Sequence, residues 1–221
     1  MLLLGALLAT ASARDNENRT LDLAAALSKG RVSIEDELPR GPTVDLARVG
    51  SHVYSGGAPG LAFTVLPARL VTDSVLLLTI LGASVPLALG ALGVRRGALA
   101  LGAAPGMADL GAAAHSLGTI ALPFATRLYA HSLVVCLLAW SLALVLERRR
   151  LALAGLLAAW AVVCDYNVAL AAAALVIFLA VQRDAKGAAH FVAGAVGPAV
   201  LLAVYHTACF GAPWRTPYDF H

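Results

Sequence analysis

A short stretch of acidic and basic side chains, Arg-Asp-Asn-Glu-Asn-Arg-Thr at 14–20, directly follows the apolar start of the chain. It contains two carboxylates, Asp15 and Glu17, and two guanidinium groups, Arg14 and Arg19. Transfer of a group to a hydroxyl needs a carboxylate that takes the acceptor proton, and cations that hold a departing phosphate. Glu17 is the first candidate for this base and Asp15 the second. The alternative interpretation is the capped start of a solvated helix.

A second stretch, His-Val-Tyr-Ser-Gly-Gly-Ala-Pro-Gly at 52–60, combines ring-bearing residues with glycines. Glycines let the backbone approach a ligand closely. His52 and Tyr54 offer hydrogen-bonding groups and a ring against which a sugar can stack. The alternative is a plain turn before a helix, with Pro59 near its first position.

Further polar residues interrupt the apolar part of the chain. Asp109 lies within an apolar run, close to Pro105, and an ionisable residue inside such a run is a candidate for function. The alternative is a carboxylate near a helix end or one hydrogen-bonded inside the bundle. A set of residues from separate connections is expected to gather on one side of the molecule: Arg127, His131, Asp165, Tyr166 and His206.

The composition indicates an integral membrane protein. Of the 221 residues, 60% are hydrophobic and 13% charged, whereas a soluble domain has about 25% charged and about 45–50% apolar residues. The net charge is +3, and no basic patch with interleaved aromatic residues is present, so nucleic acid is not expected as a partner. The three cysteines are scattered and indicate neither a disulfide framework nor a metal site.

The apolar runs predict an all-α fold, a polytopic transmembrane helical bundle of about seven spans. We expect a first span or signal-like segment at 1–13, an extracytoplasmic loop with the catalytic motif at 14–70, six helices within 71–206, and the start of the next outer loop at 207–221. The runs lie at 74–94, 97–120, 128–146, 151–182 and 188–205, and the fourth breaks at 164–167 into two short helices.

The basic residues predict the orientation. Arg95 and Arg96, the arginines at 148–150, and Arg183 with Lys186 belong to short connections that the positive-inside rule assigns to the cytoplasm. The protein is therefore expected in the cytoplasmic (inner) membrane, with its long first loop outside. Within that loop, residues 19–29 predict an amphipathic helix on the membrane surface, ending at Gly30.

These stretches together resemble bacterial members of the GT-C glycosyltransferase superfamily, which includes the family 39 protein O-mannosyltransferases and the lipid A aminoarabinose transferase. Glu17-Asn18-Arg19 matches part of the family's Asp-Glu-x-Arg-Tyr motif, 23–36 is similar to its surface helix, and 52–71 is similar to its Tyr-x-x-Lys-x-Pro region. The stretches at 117–133 and 205–213 also look like parts of uncharacterised members. Asn16 replaces the family's first acid, and Gly57 replaces its lysine.

The resemblance implies transfer of a sugar from a polyprenyl-phosphate donor to an envelope glycan, lipid or protein acceptor, with membrane lipid as a further partner. It implies a carboxylate base at Glu17 or Asp15 and no cofactor, with a divalent metal left open. The implied substrate-binding residues are Arg14, Arg19, His52, Tyr54, Asp109 and Arg127. Two alternatives remain open: a transporter or flippase, indicated by Asp109 beside proline and glycine, and a non-catalytic truncated paralogue, indicated by Gly57 and the end of the chain.

Overall fold

The computed structural model describes residues 6–9, 15–38 and 45–220, which are mostly helical. The helices are α1 (Asp15–Ser28), α2 (Gly60–Arg69), α3 (Val75–Ala100), α4 (Pro105–Leu117), α5 (Ala121–Ala125), α6 (Ala130–Leu146), α7 (Leu151–Cys164), α8 (Ala169–Val181) and α9 (Ala185–Phe210). Two strands, β1 (Leu46–Val49) and β2 (His52–Ser55), and two 3-10 turns, Tyr166–Val168 and Pro217–Phe220, complete these elements.

Two helices of the described part, α3 and α9, are long and apolar enough to cross a membrane. Each has 26 residues, which rise about 39 Å and exceed the roughly 30 Å of a bilayer core. The apolar helices α6, with 17 residues, and α7, with 14, are shorter. At 1.5 Å per residue they reach only about 25 and 21 Å. The prediction of a seven-span bundle is therefore wrong.

The long apolar runs fail to form spans because the backbone breaks within them. The run at 97–120 turns at Gly102, whose φ of 88° is left-handed, and restarts at Pro105 as the 13-residue α4. The run at 151–182 breaks at Asp165, whose extended backbone separates α7 from the next helical turn. This second break is the one that the sequence predicts at 164–167.

The structure is mostly helical, but the first loop also contains an antiparallel β-hairpin. Leu46 pairs with Ser55 and Val49 with His52. The turn between the strands has Gly50 at a φ of 62°, a conformation that glycine adopts without strain. The hairpin packs through Tyr54, whose ring meets Phe210 edge-on at 5.6 Å between centroids.

Helix α1 is part of the core. The prediction that it lies on the membrane surface is therefore wrong. Residues 21–26 are all buried, and Leu23 is 1% exposed. The helix begins at Asp15, four residues earlier than the predicted 19–29. Its predicted end is confirmed: Gly30 has a φ of 72°, and the N–H of Arg31 donates to the carbonyl of Ala26 at 2.9 Å.

The molecule has two chemically different ends. Helices α3 and α6 run parallel, because Ser84 Oγ donates to the Ala125 carbonyl, just before α6, at one end of the molecule, while Arg96 near the end of α3 pairs with Glu147, just after α6, at the other. Helices α7 and α9 run parallel and both start near that second end. We call it the basic end, and it carries Arg95, Arg96, Arg148, Arg149, Arg150, Arg183 and Lys186.

Candidate functional site

A polar cavity of about 330 Å³ lies at the end of the molecule opposite the basic end. Helix α1, the loop after β2, the start of α6 and the turn after α7 all contribute to it. The fold thus brings one cation, one carboxylate, one imidazole and several phenol groups from distant parts of the chain to one volume. The polar cavity is defined by Arg19, Gly57, Tyr129, His131, Asp165 and Tyr166.

The cation of the polar cavity is Arg19, and Gly57 makes room for it. A Cβ atom at position 57 would lie 2.5 Å from Cζ of Arg19 and 2.7 Å from its Nη1. The same Nη1 donates to Asp45 Oδ2 at 2.8 Å. The resemblance predicts a lysine at position 57, where the chain has a glycine. The guanidinium of Arg19, from α1, occupies the space beside this glycine.

Aromatic rings form the walls of the polar cavity. The ring of Phe124 meets His131 at 4.4 Å and Tyr129 at 5.8 Å between centroids. On another side Tyr166 meets Tyr218 edge-on at 6.0 Å. Burial raises the pKa of Tyr166 above its ordinary value, so its hydroxyl stays protonated. These rings offer both apolar faces and hydroxyl groups to a molecule in the polar cavity.

The carboxylate of the polar cavity is Asp165, at the break after α7. Its Oδ1 accepts a hydrogen bond from the backbone N–H of Asn167 at 3.1 Å, which caps the following 3-10 turn. The cap fixes the carboxylate at the edge of the cavity, with its side chain only partly buried. Asp165 is therefore placed to accept a proton from a bound hydroxyl.

Glu17, the first candidate base, is 0% exposed and is not among the described residues that line the polar cavity. Its Oε1 accepts the backbone N–H of Leu128 at 3.2 Å, and its Oε2 lies 3.6 Å from Nη1 of Arg127. The carboxylate therefore holds the segment that leads to Tyr129. The same contacts place Arg127, a predicted substrate-binding residue, against Glu17.

Asp15, the second candidate base, is the first residue of α1, and its side chain lies outside the described part of the structure. Arg14, predicted to hold phosphate, lies outside the described residues altogether. Their roles stay predictions.

His52 and Tyr54 belong to β2 and do not line the polar cavity. Nδ1 of His52 lies 3.0 Å from Glu35 Oε1, and the backbone N–H of Val53 donates to Glu35 Oε2 at 3.2 Å. Burial acts to raise the pKa of Glu35, but these hydrogen bonds outweigh it and lower that pKa to about 2. Burial raises the pKa of Tyr54. Both predicted residues thus stabilise the hairpin against its neighbours.

Asp109 lies on α4 near the basic end, far along α3 from the polar cavity. Its Oδ1 is 2.5 Å from Nε of Arg95, and 59% of its side chain is exposed. The structure therefore shows a surface ion pair at this position, separate from the residues that gather at the other end.

An apolar groove of about 430 Å³ lies beside the polar cavity, between α7, α8 and α9. Small and branched side chains line its length, and His206, Trp214 and Thr216 lie at one end. The hydroxyl of Tyr166, in the wall of the polar cavity, is 2.9 Å from Nε2 of His206 in the groove. The two spaces therefore adjoin where Tyr166 and His206 meet.

The sequence predicts part of this site. His131, Asp165 and Tyr166 meet in the polar cavity and His206 contacts Tyr166, as the polar connections indicate. Tyr129 is missed, and its only signal is its place between Arg127 and His131. Within residues 6–9, 15–38 and 45–220, no group of three or more His, Cys, Asp or Glu side chains is arranged to hold a metal ion.

Comparison of the chain with protein-family models, with curated proteins and with solved structures gives no match in any of the three. The site is therefore interpreted from its own geometry.

Proposed function

We propose that this protein transfers a sugar from a polyprenyl-phosphate donor to a hydroxyl acceptor at a membrane surface. The observation that supports this function is the polar cavity beside the apolar groove, joined at the Tyr166–His206 hydrogen bond. A lipid-linked sugar phosphate has the same division into a polar head and an apolar tail. The head group fits the polar cavity, and the first part of the chain fits the groove.

Arg19 holds the phosphate of the donor in this proposal. A guanidinium presents paired N–H groups that match phosphate oxygens. Its present partner, Asp45, is half exposed, with 50% of its side chain accessible, and an exposed ion pair is weak enough to be exchanged for a phosphate. Tyr129 and Tyr166 flank the sugar.

The reaction is a displacement at the anomeric carbon. The acceptor oxygen forms a bond to this carbon while the bond from the carbon to the phosphate oxygen breaks. The electron pair of that bond leaves with polyprenyl phosphate, whose charge Arg19 stabilises. The acceptor proton passes to the carboxylate of Asp165. Glu17 acts as a positioning residue, because it is buried and holds the segment before Tyr129.

The two long helices, α3 and α9, orient the proposed enzyme in the membrane. Helix α3 runs from the end with the polar cavity to the basic end, and α9 returns. Arginine and lysine near the ends of spans favour the cytoplasmic side. With both helices across the bilayer, the polar cavity opens on the extracytoplasmic side of the cytoplasmic membrane.

Sugar transfer by the purified full chain in lipid, as a function of pH, tests these roles. Asp165→Asn should lower kcat about 10²- to 10⁴-fold with little change in donor KM, and should remove the acidic limb of the pH profile. Glu17→Gln should lower thermal stability and the rate but keep that limb. Asp36→Asn, a change at an exposed carboxylate, is the matched control. Normal turnover and an unchanged acidic limb in Asp165→Asn would remove Asp165 from the mechanism.

A further inference from the structure

A second cavity, here called the side cavity, lies between α3, α4, α5 and α6. Its volume is about 360 Å³, at the lower end of the roughly 300–1,000 Å³ that small-molecule sites occupy. Leu87, Ala121 and Val135 form part of its apolar lining, while its polar residues are His115, Thr119, His131 and Ser132. The side cavity shares Phe124 and His131 with the polar cavity, so the two spaces are neighbours.

Ser132 is the residue that points to a ligand. It is 3% exposed, and among the described residues its Oγ has no hydrogen-bond partner. Other helical hydroxyls here donate to the carbonyl one turn earlier, as Ser116 does to Ala112 and Thr64 to Gly60. A buried hydroxyl without a partner costs about 1–3 kcal/mol. Because Ser132 lines a cavity, a bound polar group can supply the missing partner.

The other polar groups of the side cavity favour a neutral ligand. No Arg, Lys, Asp or Glu is among its described lining residues. Burial lowers the pKa of His115, so this imidazole is uncharged at neutral pH. A neutral imidazole and a serine hydroxyl each accept and donate hydrogen bonds, and a ligand hydroxyl does the same.

The approach to the side cavity is apolar. Ile120, which lines it, is 69% exposed, and along α4 Met107, Leu110 and Leu117 are 62%, 60% and 48% exposed. Such a contiguous exposed apolar surface is typical of a membrane or ligand contact. The ligand therefore combines an apolar body, which enters past Ile120, with one neutral polar end.

We propose that the side cavity binds a long-chain lipid alcohol, whose hydroxyl bonds to Ser132 Oγ and whose chain extends toward Ile120. This binding does not depend on the function proposed above. One consequence does rest on it: a hydroxyl near His131 lies beside the polar cavity, which is the position of an acceptor. A lipid alcohol is then the class of acceptor that this chain uses.

Equilibrium binding of tritiated hexadecanol to the full chain in detergent tests the proposal, with hexadecane and palmitate as competitors. Hexadecanol should bind saturably, and neither competitor should displace it as well as unlabelled hexadecanol. Ser132→Ala should weaken hexadecanol about three- to tenfold, the loss of one hydrogen bond. It should leave the thermal midpoint unchanged or higher, because it removes an unsatisfied buried hydroxyl.

Two further variants complete the design. Ala121→Phe places a ring in the side cavity and should abolish saturable binding. Ser116→Ala changes an equally buried serine outside the cavity and should leave the affinity unchanged. Equal affinity for hexadecane and hexadecanol, or unchanged affinity in Ser132→Ala, would overturn the proposal. Since this readout is binding, it stays decisive even if no sugar transfer is found.

Discussion

Among single residues, Arg19 and Gly57 together provide the cation of the polar cavity. The guanidinium lies where any side chain at position 57 would have to be, with Cζ 2.5 Å from an added Cβ. A glycine in place of the expected lysine therefore does not leave the polar cavity without a cation. The positive charge comes from α1 and presents the fork geometry that suits phosphate better than an ammonium group does.

Gly57→Ala should raise the donor KM about tenfold, because the methyl group displaces the guanidinium and removes a charge-assisted hydrogen bond to phosphate. Initial rates at varied donor concentration measure this. Gly111→Ala is the control, since a Cβ there meets no atom within 4 Å and its KM should stay that of the wild type. An unchanged KM in Gly57→Ala would show that Arg19 does not hold the donor.

At the scale of elements, the hairpin is tied to the segment after α1 by Glu35. The carboxylate contacts His52 and the backbone of Val53, and its pKa falls from 4.5 to about 2 on folding. A carboxyl group whose pKa is lowered by folding stabilises the fold fully at pH values above its pKa in the unfolded chain. This contribution is lost as the pH falls through its pKa in the folded protein.

Glu35→Gln should therefore be less stable than the wild type above pH 4.5, with the difference shrinking toward pH 2. Thermal midpoints of both proteins across this range give the difference directly. Asp36→Asn, at the next residue and more exposed, should show a smaller change. A difference that stays constant between pH 6 and pH 2 would contradict the role of the Glu35 contacts.

The contact between α7 and α9 depends on two glycines. A Cβ on Gly155 would overlap the carbonyl oxygen of Phe191, and one on Gly194 would overlap that of Ala152. This close approach of the backbones forms one side of the apolar groove, which both helices line.

Gly155→Ala should lower the free energy of unfolding by about 1–3 kcal/mol, the usual cost of overpacking. Gly197→Ala is the matched control on α9, because a Cβ there meets nothing within 4 Å. It should be neutral or stabilising, since alanine favours a helix over glycine. The thermal midpoints of the two variants measure this difference. Equal midpoints would mean that α7 and α9 can move apart to accept the methyl group at little cost in stability.

In the molecule as a whole, the basic residues and the polar cavity lie at opposite ends of the long helices α3 and α9. Residues 95–96, 148–150 and 183–186 occupy one end, and the polar cavity occupies the other. Helices α3 and α9 connect these ends and are long enough to cross a bilayer. This polarity supports the proposed placement of the polar cavity outside the cytoplasm.

The sequence predicts which residues gather at one end, but not how the chain reaches them. The polar break at 164–167 marks the end of α7 because it interrupts an apolar run. Hydropathy does not separate a span from a short buried helix, so the apolar runs that form α6 and α7 predict spans. The burial of Glu17 follows from its contact with Leu128, 111 residues away, and local patterns carry no signal for it.

Sugar transfer by the full chain in lipid, with a panel of radiolabelled polyprenyl-phosphate sugars, tests directly whether the polar cavity binds the donor through Arg19. Wild type and Arg19→Gln are compared, with Arg48→Gln, an exposed arginine on β1, as the control. We predict transfer from one donor by the wild type and the control, and at least tenfold less by Arg19→Gln at limiting donor concentration. No transfer from any donor would overturn the proposed sugar transfer, and equal transfer by Arg19→Gln would show that Arg19 does not hold the donor phosphate.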